Sequence, residues 1–150
     1  TYRLRDRRFI MRRFIFASHH YLAYGLKDTV DFLTSKARTI HDINAYVEDK
    51  EQELEIRVKQ LFDTFDPQDE VIVLTDLLGG SVYQKFYPYI SEHVHVLCGM
   101  NLPMAMSMVL AGEDVPFTEK RIAEIVEECK NQIVYVNTLH SASAMDCDDE

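Results

Sequence analysis

The sequence predicts an α/β fold: a doubly wound, mostly parallel four-stranded sheet in the order 2-1-3-4, a C-terminal antiparallel strand, and helices on both faces. Two observations carry that prediction. Strand-like apolar runs alternate with amphipathic helical patterns four times, which is the signature of right-handed β-α-β crossovers. The runs Phe14-Ile15-Phe16 and Val71-Ile72-Val73-Leu74 are continuously apolar, as strands covered on both faces must be. The chain's 150 residues suit one domain with a substantial core. A content of 47 % hydrophobic and 27 % charged residues places it among globular chains and away from disordered ones.

The first strand is expected over residues 12–17, ending at Ala17-Ser18-His19-His20. The pattern then changes to Tyr21, Leu22, Leu26, Val30 and Leu33, whose mostly helical spacing predicts a helix over 21–35. Ile40, Ile43 and Val47 mark a short second strand and loop within 38–47. Residues 51–65 read as an amphipathic helix with Leu54, Val58, Leu61, Phe62 and Phe65 on one stripe; Pro67 follows it. Its exposed side sets Glu55 before Lys59 and Glu53 before Arg57, four residues apart.

The third strand, 70–75, stops at Asp76. Then comes Leu77-Leu78-Gly79-Gly80-Ser81, where paired glycines permit a tight turn and close approach to a ligand. Ser81 is a candidate cap for a helix over 82–90, interrupted near its end by Pro88. A fourth strand over 93–98 ends in Gly99-Met100-Asn101-Leu102-Pro103-Met104. Asn101 can cap the helix that runs to about 111, with proline in its first turn. Residues 113–117 form a loop, and Thr118 caps a helix to 130 with Ile122, Ile125, Val126 and Cys129 inward. The last strand is expected at 133–136, extending to about 139.

Residues 11–139 constitute the expected domain. The basic stretch 1–10 reads as an upstream extension or a vector-derived remnant, and the acidic stretch 140–150 as a flexible tail. The net charge is −9 and the only dense cluster of arginines lies in 1–10, so broad nucleic-acid binding is disfavoured. No apolar run approaches the roughly 20 residues of a membrane helix, and no secretory leader is recognisable. Cys98, Cys129 and Cys147 form no Cys-x-x-Cys pair and do not suit a disulfide framework; a reducing cytoplasm is expected.

In the order 2-1-3-4 the topological switch falls between strands one and three. Their C-terminal ends carry His19 and Asp76, far apart in sequence but predicted to share one crevice. A carboxylate accepting a histidine Nδ1–H fixes the tautomer and leaves Nε2 free to attack. Backbone N–H groups at Gly79-Gly80-Ser81 would face an anion. Histidine, orienting carboxylate and anion cradle together suit phosphoryl transfer, which is mostly positioning and charge stabilisation. Ser81 and Asn101 each have a plain helix-capping reading beside a site-shaping one. A zinc site from His19, His20 and Asp76 is a weaker reading, since adjacent histidines at a strand end seldom converge. His41, His93, His95 and His140 are expected to be structural or exposed, and Met100, Met104, Met106 and Met108 to pack in the core or at a dimer contact.

The segments Ala17-Ser18-His19, Leu74-Thr75-Asp76-Leu77-Leu78-Gly79-Gly80-Ser81 and Gly99-Met100-Asn101-Leu102-Pro103-Met104, in this order and spacing, resemble the enzyme IIA component of mannose-type sugar phosphotransferase systems. The resemblance spans about residues 11–139. It implies a transient phosphohistidine on His19 oriented by Asp76, with Ser18, Leu78, Gly79, Gly80, Ser81, Gly99 and Asn101 binding phosphate or shaping the site. It implies HPr as phosphoryl donor, a IIB component as acceptor, indirect association with membrane IIC and IID components, and no cofactor. It also implies a homodimer that exchanges the final antiparallel strand. A IIA-like subunit of a dihydroxyacetone kinase, or an anion- or nucleotide-binding regulatory module without covalent chemistry, are the alternatives. The nucleotide version is weakened by the lack of both phosphate-binding glycine motifs. Two departures stand out: His20 occupies the family's usual glycine position, and Val82-Tyr83-Gln84 replaces its frequent Pro-Phe-Asn.

Overall fold

The computed structural model describes residues 11–47 and 50–141. The expected extension 1–10 and nearly all of the expected tail lie outside the described residues. Four strands form one sheet in the order β2-β1-β3-β4: β1 (Arg12–His19), β2 (Ile40–Ala45), β3 (Glu70–Thr75) and β4 (Val94–Cys98). Every neighbouring pair is parallel. Five α-helices connect and cover them: α1 (Leu22–Thr34), α2 (Glu51–Asp63), α3 (Ser81–Phe86), α4 (Leu102–Leu110) and α5 (Glu119–Lys130). The order and parallel sense are those the alternating pattern predicts.

The central strands alternate between two cores because side chains on a strand point to opposite faces in turn. Phe14, Phe16, Ile72 and Leu74 pack with Ala23 and Val30 of α1, Met104, Ala105, Met108 and Val109 of α4, and Cys129 of α5. Ile15, Ala17, Val71 and Val73 face Leu54 and Val58 of α2 and Val82 and Phe86 of α3. Each fully buried Phe, Ile or Leu contributes roughly 1.5–3 kcal/mol through removal of apolar surface from water. Met100, Met104 and Met108 are core residues of the first layer, with Met106 partly buried against it.

The start of β1 and β3 is tied by a buried ion pair. Arg12 Nε donates to Glu70 Oε1 at 2.5 Å, and the two residues sit opposite each other in the ladder. The Arg12 guanidinium also donates to the carbonyls of Ala111, Gly112 and Val115, while Glu70 Oε2 accepts the Phe117 N–H at 2.7 Å. Both charges are thereby surrounded by hydrogen bonds, the condition under which a buried pair is tolerated. The network fixes the α4–α5 connection across the end of the sheet.

Two expectations need correction. Residues 133–139 add no strand: 133–135 have no regular structure and 136–141 are helical. Ile133, Val134, Tyr135, Val136 and Leu139 are all exposed. A β-branched run becomes a strand only where a sheet edge satisfies its backbone groups, and after α5 this run lies apart from the sheet of its own chain. The helix expected over 82–90 ends at Phe86 and continues as a short 3-10 turn, Tyr87–Tyr89, around Pro88. Proline lacks the N–H that would bond back to the preceding turn.

Candidate active site

The ladder register places the site. Ala17 pairs with Thr75 and His19 pairs with Ala45, so the residues just beyond these pairs share one edge of the sheet. His19 ends β1, Asp76 follows β3 directly, and Tyr46 follows β2. All three strands point the same way, so their C-terminal ends meet at the switch point.

Asp76 Oδ2 accepts two hydrogen bonds from His19, from the backbone N–H at 2.8 Å and from ring Nδ1 at 2.8 Å. Its other oxygen accepts the Leu77 N–H at 3.0 Å. Partial burial pushes the Asp76 carboxyl upward, but the His19 backbone and ring N–H groups, the ring's charge and the Leu77 N–H outweigh it. The net result lies below the ordinary carboxylate value. An ionised carboxylate only accepts, so Nδ1 carries the proton and Nε2 holds the free lone pair. The His19 side chain remains 36 % exposed while that of Asp76 is 10 % exposed, which leaves the ring reachable and its anchor sheltered.

Nε2 faces Ser81, whose Oγ lies 3.4 Å away. Ser81 is not the cap of α3; Gly80 occupies that position with extended backbone, and Ser81 is the first helical residue. Its hydroxyl accepts a hydrogen bond from the Tyr46 hydroxyl at 2.7 Å. The Tyr46 ring lies beside the His19 ring, with centroids 5.6 Å apart. Tyr46 is the residue beside His19 that sequence reasoning passed over. The available signal was its place directly after a strand, on the same sheet edge as His19 and Asp76.

The glycines have distinct duties. Gly79 adopts φ +71°, a left-handed conformation that favours glycine. A Cβ at Gly80 would stand 3.2 Å from Leu77 Cβ and 3.5 Å from His19 Cε1, so a side chain there would crowd Leu77 and touch the His19 ring. Gly99, at φ +77°, donates its N–H to the Asp76 carbonyl at 3.2 Å and ties the end of β4 to the site. Gln84, one of the departures from the family pattern, donates to the Gly79 carbonyl at 3.2 Å.

The remaining predicted residues shape the surroundings. Ser18 is fully buried; its hydroxyl accepts the Ala23 N–H at 2.7 Å and donates to the His20 carbonyl. It therefore serves the start of α1, as does Asn44, whose side-chain oxygen accepts the Tyr24 N–H. Asn101 caps α4 by accepting the Met104 N–H at 2.9 Å. His20 sits at φ 51°, with its ring edge-on to Tyr21. His19, His20 and Asn101 share a neighbouring hollow of about 600 Å³ with Tyr21, Leu22 and Leu102. Leu77 and Leu78 are exposed, Leu78 at 82 %, and project beside the site. Among the described residues no group of three or more His, Cys, Asp or Glu side chains is placed to hold a metal ion.

The family model for the fructose IIA component of the phosphotransferase system, EIIA-man, matches residues 13–133. A solved structure from Klebsiella pneumoniae, assigned as a phosphoenolpyruvate-dependent sugar phosphotransferase system permease, is 40 % identical. It covers 85 % of this chain and 93 % of its own, with a TM-score of 0.75. The mannose/sorbose-specific IIA subunit from Enterococcus faecalis shares the fold at 16 % identity and TM-score 0.70, over 83 % of this chain and 94 % of its own. So does a phosphotransferase-system IIA protein associated with the fucose utilisation operon of Streptococcus pneumoniae, at 23 % identity and TM-score 0.73, over 87 % of this chain and 97 % of its own. A comparison with curated proteins gives no match.

Proposed function

The chain belongs to the EIIA-man family, the mannose-type IIA components that serve phosphoryl transfer in sugar uptake, and we propose on that footing that His19 is its phosphoryl carrier. The observation that supports this most is the pair of hydrogen bonds from His19 to Asp76 Oδ2, which hold the ring with Nε2 directed outward. The donor is HPr bearing a phosphohistidine. The Nε2 lone pair attacks phosphorus, the donor's N–P bond breaks, and its electron pair returns to the donor ring. The Nδ1 proton stays on His19 throughout, shared with Asp76. A histidine of the IIB component then repeats the attack and restores His19. Sugar is met only at the IIB component and the membrane IIC and IID components.

The first turn of α3 leaves the Ser81 and Val82 N–H groups without intrahelical acceptors, and these groups suit the incoming phosphoryl oxygens. Exposed Leu77, Leu78, Tyr21 and Leu22 supply apolar surface for the two carrier partners. No observation favours the dihydroxyacetone kinase subunit or a purely anion-binding module. We place the protein in the cytoplasm, where HPr is phosphorylated; no helix among the described residues is long and apolar enough to cross a membrane.

We further propose a homodimer in which residues 133–139 of each copy pair with β4 of the other. β4 is an edge strand, beside it runs a groove of about 660 Å³ lined by His93, Val94, Val96, Phe117 and Ile122, and the exposed apolar segment has no partner in its own sheet. His95, which also lines the groove, buries Nε2 without a hydrogen-bond partner among the described residues.

The test of the carrier role is incubation with phosphoenolpyruvate, enzyme I and HPr. One acid-labile phosphate per chain is expected; His19→Ala abolishes it and His20→Ala does not. Full labelling of both variants would remove His19 from the mechanism.

A further inference from the structure

We infer that Tyr46 is a positioning residue for phosphoryl transfer, acting through Ser81 to hold that hydroxyl as a proton donor toward Nε2 of His19. The inference deepens the reading of His19 as carrier and rests on it for its meaning in turnover.

The argument is one of hydrogen-bond direction. Asp76 can only accept, so His19 donates from Nδ1, and in the neutral ring Nε2 can only accept. The polar atom at hand for Nε2 is Ser81 Oγ, at 3.4 Å. A serine hydroxyl has one proton; if it gives that proton elsewhere, Nε2 faces an oxygen lone pair. Tyr46 removes that alternative. Its O–H donates to Ser81 Oγ at 2.7 Å, which occupies the serine as an acceptor and leaves the serine proton for the ring. The donors then run in one sense, Tyr46 to Ser81 to His19 to Asp76, and each bond polarises the next. When Nε2 attacks phosphorus its lone pair enters the new bond, and the Ser81 O–H, keeping its proton, turns its hydrogen bond to a phosphoryl oxygen. Ser81 therefore changes acceptor without losing its donor, and the long contact at Nε2 is easily surrendered.

A second observation points the same way. Tyr46 sits at φ 64°, a left-handed backbone conformation uncommon for an aromatic residue. Such strain is held in place by the surrounding structure and concentrates at functional sites. Here it accompanies a turn that lays the ring beside His19 and delivers the hydroxyl to Ser81. The side chain is also partly buried against the core layer under α2 and α3, so its position does not depend on the hydroxyl alone.

The experiment is a double-mutant cycle of Tyr46→Phe, Ser81→Ala and the double variant, read in two ways. The first reading is the rate of His19 labelling by phosphorylated HPr. Tyr46→Phe is expected to slow it about three- to tenfold, the range of one neutral hydrogen bond, with no further loss in the Ser81→Ala background. The second is the ¹⁵N resonance of His19 Nε2 in unphosphorylated protein, which needs no turnover. In Tyr46→Phe it is expected to move toward that of a nitrogen accepting no hydrogen bond, while Nδ1 remains protonated. Additive rate losses, or an unmoved Nε2 resonance in a folded Tyr46→Phe protein, would overturn the inference. If the wild type takes no label while the resonance responds, the carrier reading fails and the bond chain stands.

Discussion

One carboxylate oxygen of Asp76 grips His19 twice, at the backbone nitrogen and at ring Nδ1, each at 2.8 Å. The main-chain bond fixes where the residue is, and the ring bond fixes which nitrogen carries the proton. Few side chains could do both, because the contact requires the ends of β1 and β3 to be neighbours in a parallel sheet.

Asp76→Asn is therefore expected to leave the fold intact and slow labelling of His19. An amide can accept through oxygen or donate through nitrogen, so the tautomer is no longer fixed. Loss of a charge-assisted bond of about 1.5–3 kcal/mol corresponds to roughly 10- to 150-fold in rate. Rapid-quench labelling with phosphorylated HPr measures it, and an unchanged rate would contradict the orienting role.

The same pair makes stability depend on acidity. Asp76 titrates below its ordinary value of 3.8 when folded, so its stabilisation is fully present above that value and fades as pH falls through the folded value. Urea midpoints of wild type and Asp76→Asn should differ most near neutrality and converge in acid. Two histidines act at higher pH. His95 and His41 are both lowered from 6.5, first by burial, so their contribution is present above 6.5 and declines as pH drops. Arg13 and Lys27 lower His41 further while Asp42 opposes; at His95, Glu70 and Glu119 oppose and His93 assists. Gln at either position should flatten the stability curve below pH 6.5.

The two turn glycines should separate stability from activity. Gly79→Ala has open space for its methyl but a left-handed backbone, and is expected to cost about 1–2 kcal/mol in urea unfolding. Gly80→Ala meets Leu77 and the His19 ring instead, and is expected to impair labelling more than Gly79→Ala does. Equal effects of the two on labelling would contradict this division.

At the opposite end of the sheet, Glu70→Ala would take away the carboxylate that Arg12 Nε meets in the buried ladder pair and the acceptor of the Phe117 N–H. A loss of about 3–5 kcal/mol is expected from chemical denaturation. Removing residues 132–150 should yield a monomer in sedimentation if these residues carry the strand exchange; a persistent dimer would place the interface elsewhere.

The sheet order and the His19–Asp76 pairing were legible because both follow from periodicity and chain direction alone. Two buried apolar runs, each ending in a polar residue, fix which ends meet. The place of Tyr46 at the end of β2 was legible but its left-handed backbone was not, since nothing in Asn44-Ala45-Tyr46-Val47 signals it. Ser81 read as a cap because serine commonly caps helices, but the turn begins one residue earlier, at Gly80, and releases the hydroxyl for the site. Residues 133–139 have the composition of a strand, but composition does not provide the sheet edge that a strand needs. The left-handed backbone at His20 had one sign in the sequence, the glycine that the family usually carries at that position.

β1 and β3 are fastened at both extremities by acid–base pairs, Arg12 to Glu70 where they begin and His19 to Asp76 where they finish. One strand length of six residues, about 20 Å, lies between the two fasteners. The thermodynamic anchor is thus insulated from the reactive rim. A substitution in the loops around His19 therefore leaves the lower clasp in place, and that clasp keeps the two central strands in register.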